Sequence, residues 1–226
     1  MAFSKQWNKL YSDNTHMSVW PWSDVVSLVH QYCKLLISNP QNTRVLEIGC
    51  GAGANIPLFQ RLGFNYFGIE GSLSIVKQLH LWFPDLKKQI VCKDFTKVQP
   101  FDMDFDLILD RASITHNDMK SIKATLGFIN KSLKKNGLFM GIDWFSENHS
   151  DSKKGRLTDD DFTRTDIIEG GFKGVGKVHF SSLSHLRKLL EDFEIIYLEE
   201  KIIKHHDPSA KNQFGSFNFV VKKKNA

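Results

Sequence analysis

Between positions 44 and 145, short apolar runs alternate with stretches of helical spacing, and glycine, asparagine or charged residues close each run. That alternation predicts a parallel sheet with helices on both faces. The strands fall at 44–48, 66–70, 89–92, 105–110 and 138–144. Between them, 72–82 reads as a helix stopped near Pro84, with Leu73, Val76, Leu79 and His80 towards the sheet. Residues 118–135 read as another, with a basic last turn at Lys134 and Lys135 and Gly137 just past its end. Upstream, the apolar positions of 25–37 predict a helix capped by Ser23 or Asp24 and stopped before Pro40. Downstream, a short amphipathic helix at 183–190, capped by Ser181 or Ser182, precedes two final strands at 194–203 and 216–221, with a turn over 207–213.

Two segments break this rhythm. Residues 146–180 carry a polar stretch, the run Asp159-Asp160-Asp161, and glycines at 170, 171, 174 and 176. A loop of this length after the fifth strand reads as a lid with glycine hinges, in which His149, Arg156, Arg164 and His179 are candidates for substrate contact. Consecutive carboxylates lack the spacing of a calcium loop and read as a helix start, so no metal site is expected. The other segment, 11–22, is aromatic without periodicity. It reads either as a strap that buries its rings or as a flap over a ligand.

The chemistry gathers at the first strand. Val45, Leu46 and Ile48 run straight into Gly49-Cys50-Gly51-Ala52-Gly53-Ala54, and Asn55 and Ile56 open a helix. A strand, a tight glycine turn and a helix start leave bare backbone N–H groups for a small polar ligand. The next carboxylate, Glu70, ends the second strand about 20 residues on, where a dinucleotide fold places its ribose acceptor. Gly49, Gly51 and Ala54 also satisfy the pattern of a nicotinamide domain, so spacing alone leaves two cofactor classes open.

The run Glu47-Ile48-Gly49-Cys50-Gly51-Ala52-Gly53, with its acidic residue two before the first glycine, resembles the first motif of class I S-adenosylmethionine-dependent methyltransferases. The resemblance covers 44–145 by motif and the rest by element order. It implies a seven-stranded, mostly parallel Rossmann-like α/β sheet, closed by an antiparallel C-terminal pair. It also implies one domain with an N-terminal helical flap (1–43), a cofactor core (44–145), a lid (146–180) and a C-terminal helix and strand pair (181–226). By the same resemblance S-adenosylmethionine would lie along Glu47, Gly49, Cys50, Gly51, Gly53 and Asn55, with Glu70, Gly71 and Ser72 at the ribose. Asp94 and Phe95 would meet the adenine, and Asp110 and Arg111 the methyl end. His116 closely follows the fourth strand and is the first choice of base, before His149 and His179, because an imidazole titrates near pH ~6.5. The family's N-terminal segment often covers the pocket, so the resemblance also puts Tyr11, Trp20 and Trp22 against it, and Trp144, at the end of the fifth strand, joins the substrate set.

Composition narrows the picture. At 226 residues, 41% hydrophobic and 24% charged, the chain has the length for one core. No apolar run approaches the roughly 20 residues of a membrane span, and the polar start lacks a signal peptide, so a cytoplasmic protein is expected. Cys33, Cys50 and Cys92 stand singly, without zinc or disulfide spacing. The net charge of +5 is dispersed, with one run at Lys222-Lys223-Lys224 read as a solvated tail, so nucleic acid binding is not indicated and a monomer or homodimer is expected. The reading is methyl transfer to oxygen or nitrogen of a small polar acceptor, such as a sugar or surface-polysaccharide precursor, with Arg111, Arg156 and Arg164 clamping an anionic group. The competing classes are an NAD-dependent oxidoreductase and a non-catalytic Rossmann-like binding protein, with an RNA methyltransferase kept as a variant of the methyltransferase reading.

Overall fold

The computed structural model describes residues 5–13, 17–204, 206 and 212–224. Helices α1 (Lys5–Ser12), α2 (Ser23–Tyr32) and α3 (Lys34–Ile37) precede strand β1 (Arg44–Ile48). Helix α4 (Ile56–Arg61) leads to β2 (Asn65–Glu70), α5 (Leu73–Trp82) to β3 (Ile90–Cys92), and α6 (Met119–Ser132) joins β4 (Phe105–Arg111) to β5 (Leu133–Phe145). Three short strands follow, β6 (Arg156–Leu157), β7 (Thr163–Thr165) and β8 (Val178–His179), then α7 (Leu183–Leu189), β9 (Phe193–Lys204) and β10 (Gln213–Lys223).

The main sheet has the order β3-β2-β1-β4-β5-β10-β9, and β6, β7 and β8 form a small sheet of their own. Strands β1 to β5 pair in parallel, and β10 runs antiparallel to both β5 and β9. Where a dehydrogenase would place a second nucleotide-binding half, the sheet closes with this antiparallel pair. Both faces are covered, which is why the inner strands read as continuous apolar runs rather than alternating ones. On one face Leu46, Ile48, Ile108 and Phe139 meet α6 and α7 through Ile122, Leu126, Ile129 and Leu186. On the other, Val45, Tyr66, Leu107 and Met140 meet α2, α4 and α5 through Val25, Val29, Phe59 and Leu79. The strand order reverses between β1 and β4, and the crevice at the carboxyl ends of the strands there is where such sheets bind ligands.

Several expected boundaries shift. The helix expected over 25–37 is broken at Cys33 into α2 and α3, and Trp22, not Ser23 or Asp24, holds the N-cap position. Leu73 is exposed on α5, where Ile75, Val76 and Leu79 are the buried positions. Helix α6 ends at Ser132, and the chain enters β5 with Asn136, not Gly137, in the left-handed region at φ 63°. The acidic triplet starts no helix. Asp160 instead accepts from the N–H groups of Phe162 (2.9 Å), Thr163 (2.8 Å) and Met119 (3.1 Å), and so closes a turn onto the start of α6. The lysine run is not a free tail: Lys222 and Lys223 belong to β10, and Lys223 and Lys224 donate to the carbonyls of Leu133 and Glu191. Helix α7 has the expected cap, Ser182 accepting from His185 N–H. Most of the turn expected over 207–213 lies outside the described residues, as do positions 1–4 of the N-terminal flap.

Candidate active site

A cavity of about 540 Å³ opens at the carboxyl ends of the parallel strands, within the usual span of small-molecule sites, about 300–1,000 Å³. Each strand contributes: Glu47 from β1 with Gly49, Cys50 and Gly51 beyond it, Glu70 from β2, Asp94 and Phe95 after β3, Arg111 from β4, and Phe145 from β5.

The glycine turn is shaped by conformation and by space. Gly49 and Gly51 sit at φ 63° and 51°, in the region that side chains avoid. A Cβ on Gly49 would fall 2.1 Å from Ser113 Oγ, and one on Gly51 2.8 Å from the Tyr11 hydroxyl. The turn is therefore a cradle of bare backbone roofed by Tyr11 of α1. Glu70 staples it: one carboxylate oxygen accepts from Gly51 N–H and the other from Ser72 N–H, each at 2.9 Å. Burial pushes the Glu70 carboxyl up, against the opposing pull of those N–H groups. Behind the turn, Glu47 accepts from Asn55 Nδ2 (2.8 Å) and the Tyr66 hydroxyl (2.7 Å), and burial lifts its pKa to about 7. These carboxylates suit a ligand that brings hydroxyls and positive charge.

At the end of β4, Asp110 is fully buried and accepts from Ser113 N–H and Ile114 N–H, both at 3.1 Å, and from Trp144 Nε1 at 2.7 Å. It thus fixes the loop that carries Ala112, Ser113, His116 and Asn117 into the cavity. Arg111 donates from Nη2 to Asp143 at 3.0 Å and lies 3.6 Å over the Trp22 ring. Its Nε is buried and has no hydrogen-bond partner, a donor left for an acceptor group. His116 meets Trp7 edge-on at 4.8 Å and Phe145 at 5.4 Å, and its Nδ1 lies 3.3 Å from the Lys177 carbonyl. A carbonyl only accepts, so that bond keeps the proton on Nδ1 and makes Nε2 the basic nitrogen.

Of the residues singled out from sequence, the cavity gathers Glu47, Gly49, Cys50, Gly51, Asn55, Glu70, Asp94, Phe95, Arg111, Tyr11, Trp22 and His116. Others stand away from it. Gly53 turns towards Leu79 and Ile56, Gly71 and Ser72 lie behind Glu70, and Asp110 acts from beneath. Trp20 is 75% exposed on the outer surface. Trp144 is buried against Phe139 and Phe219. Arg156 pairs with Asp166 in solvent, and Arg164 donates to the Ser152 carbonyl, so neither reaches the cavity to clamp an anion. His149 is buried behind Phe172 and accepts from Asp151 N–H through Nδ1. His179 is packed against His185, with 3.1 Å between their Nε2 atoms, and burial holds both rings down to about 4. Neither histidine faces the crevice. Sequence reasoning left out Trp7, Phe145, Phe172 and Phe214. A phenylalanine at a strand end or beside a glycine hinge carries no local signal, although Phe145 follows Trp144 directly. Among the described residues, no three His, Cys, Asp or Glu side chains are placed to hold a metal, and no helix is long and apolar enough to cross a membrane.

A parallel sheet closed by an antiparallel pair, with carboxylates at the strand ends on one side of its switch point, is the architecture of the class I S-adenosylmethionine-dependent methyltransferases. A family model described as a methyltransferase domain matches residues 7–198, and the chain belongs to that family, with S-adenosylmethionine as its cofactor. Among solved structures, the fold is similar to that of a SAM-dependent methyltransferase from Methanosarcina mazei (TM-score 0.67, 16% identity, 93% of this chain and 100% of the other). It is also similar to N-methyltransferase NodS from Bradyrhizobium japonicum WM9, solved with S-adenosyl-L-homocysteine (0.63, 14%, 98% and 100%). TehB from Haemophilus influenzae is a third (0.62, 13%, 96% and 67%). No curated protein matches the sequence.

Proposed function

We propose that the chain transfers a methyl group from S-adenosylmethionine to a hydroxyl or amine of a small molecule. The observation that carries this is one cavity with the glycine cradle, Glu47 and Glu70 on one side and a base, His116, on the other. The bare backbone at Gly49 and Gly51 and the unpartnered Nε of Arg111 fit the cofactor. Glu70 is the group to take the ribose hydroxyls, Asp94 and Phe95 to meet the adenine, Glu47 with Asn55 to face the ammonium, and Arg111 to take the carboxylate. Bound there, S-adenosylmethionine supplies an electrophilic methyl carbon. The acceptor's lone pair forms the new bond as the carbon–sulfur pair leaves with sulfur.

The protein's part is to align, dry and deprotonate. Alignment of two bound reactants is worth up to about 7–11 kcal/mol in favourable model systems. Tyr11 and Trp7 from α1, and Phe172 from the 146–180 cover, exclude water from the reacting atoms. His116 Nε2 takes the acceptor's proton and returns it to solvent, a contribution of about 10²–10⁴-fold.

Calorimetric titration with S-adenosylmethionine, S-adenosylhomocysteine, NAD and NADP tests the reading. Saturable binding of the two sulfur nucleosides alone is expected. Binding of NAD in their place would refute it, and no binding at all would favour a non-catalytic module.

A further inference from the structure

The cavity has two chemically different ends, and the second says what the acceptor is made of. Its three lining carboxylates, Glu47, Glu70 and Asp94, all belong to the ends of β1, β2 and β3. Among the described residues the lining cation is Arg111 at the end of β4, which pairs with Asp143, lies over Trp22, and has its one unpartnered donor, Nε, assigned above to the cofactor carboxylate. Away from the glycine turn, the wall is formed by Trp7, His116, Phe145, Phe172 and Phe214. Asn117, close by, donates its amide to the carbonyls of Ser113 and Ile114. Among the described residues, this end therefore presents ring faces and one imidazole, with no further cation for a phosphate and few partners for the hydroxyls of a sugar.

The rings are also held in place. Phe145 and Phe172 lie 4.4 Å apart, and Phe145 meets Phe214 edge-on at 6.2 Å. His149 backs Phe172 at 4.7 Å and Phe214 at 5.3 Å, with Phe180 beside it. His149 sits below its ordinary pKa because it is buried, so this second layer is neutral as well as fixed. A pre-formed wall of tilted and edge-on rings favours a flat aromatic partner and adds little ordering cost of its own on binding.

Resting on the methyltransferase reading, we propose that the methyl acceptor has an uncharged, planar aromatic body seated among these five rings, with a hydroxyl or amine directed at His116. For a phenolic acceptor, the oxygen lone pair forms the bond to the methyl carbon and the carbon–sulfur bond breaks with its electrons on sulfur. The hydroxyl proton passes to His116 Nε2 and from there to water, so the products are the methyl ether and S-adenosylhomocysteine.

The test is titration of the full chain, saturated with S-adenosylhomocysteine, with 2-naphthol, its saturated analogue decahydro-2-naphthol, and glucose 1-phosphate. Expected is saturable binding of 2-naphthol about tenfold tighter than the saturated analogue, since ring contacts add to plain apolar burial. Phe172→Leu and Phe214→Leu keep apolar volume while removing a ring, and each should weaken 2-naphthol by about fivefold with S-adenosylhomocysteine affinity unchanged. Equal binding of the saturated analogue, tightest binding of glucose 1-phosphate, or 2-naphthol affinity unaltered in both variants would overturn the aromatic acceptor while leaving the methyltransferase standing. Failure of S-adenosylhomocysteine itself to bind would remove both.

Discussion

Substituting Glu47 by glutamine should change how the stability of the free protein depends on pH. The Glu47 carboxylate is 3% exposed and its pKa is raised from 4.5 to about 7 by burial, which outweighs the hydrogen bonds from Asn55 and Tyr66. A carboxyl whose folded pKa lies above its unfolded one contributes stability that is fully present below pH 4.5 and lost as pH rises through about 7. At about 1.36 kcal/mol per pH unit, that interval is worth on the order of 3 kcal/mol. In a chain of this size it corresponds to about 2–4 °C of Tm per kcal/mol. The raw profile will not show this alone. Asp110, also raised to about 7 by burial, has the same sign, whereas His179 and His185, lowered to about 4, gain stability as pH rises from about 4 to 6.5. The observable is therefore the difference between wild type and Glu47→Gln in calorimetric Tm at pH 5 and pH 8. Wild type should lose ground to the variant on going to pH 8, and saturating S-adenosylmethionine, whose positive charge favours the ionised carboxylate, should reverse that loss. Parallel profiles for the two proteins would refute the assignment of a buried, neutralised Glu47.

Gly51→Val should abolish S-adenosylhomocysteine binding in calorimetry while circular dichroism shows a folded protein, because the strain is local and the nearest obstacle is the mobile end of Tyr11. Asp160→Ala removes the acceptor of three backbone N–H groups and should cost about 0.5–2 kcal/mol, like the loss of a helix cap, seen as faster limited proteolysis within 146–180. Asp143 has φ 55°, so Asp143→Gly should be more stable than Asp143→Ala by about 1–2 kcal/mol in urea unfolding, although both lose the carboxylate.

The glycine-turn end of the cavity was legible because its causes are local. A glycine at a left-handed position and a carboxylate at a strand end are constraints that the sequence carries within a few residues, as at Gly49, Gly51 and Glu70. The ring-lined end is assembled from α1, β5, the 146–180 cover and β10, so Trp7, Phe145, Phe172 and Phe214 come together only through tertiary packing. His149 and His179 show the converse error. Sequence supplied their polarity, while the packing of the cover, with Phe172 in front of one and His185 against the other, decided that they face inward.

Trp144 shows how one backbone angle redirects a side chain. Along β5, Met140 and Ile142 point to the α2–α4–α5 face and Phe139 to the opposite one, so strict alternation would send Trp144 with Ile142. It packs instead with Phe139, because Asp143 between them adopts the left-handed conformation and resets the pleat. That reset brings Trp144 Nε1 to Asp110, which holds the His116 loop. The strained residue is itself fixed: its carboxylate accepts from Arg111 and Lys201, and its N–H donates to Asn218 of β10. The antiparallel strand that closes the sheet therefore also helps fix the loop that lines the cavity, through a residue that no hydrophobic pattern would single out.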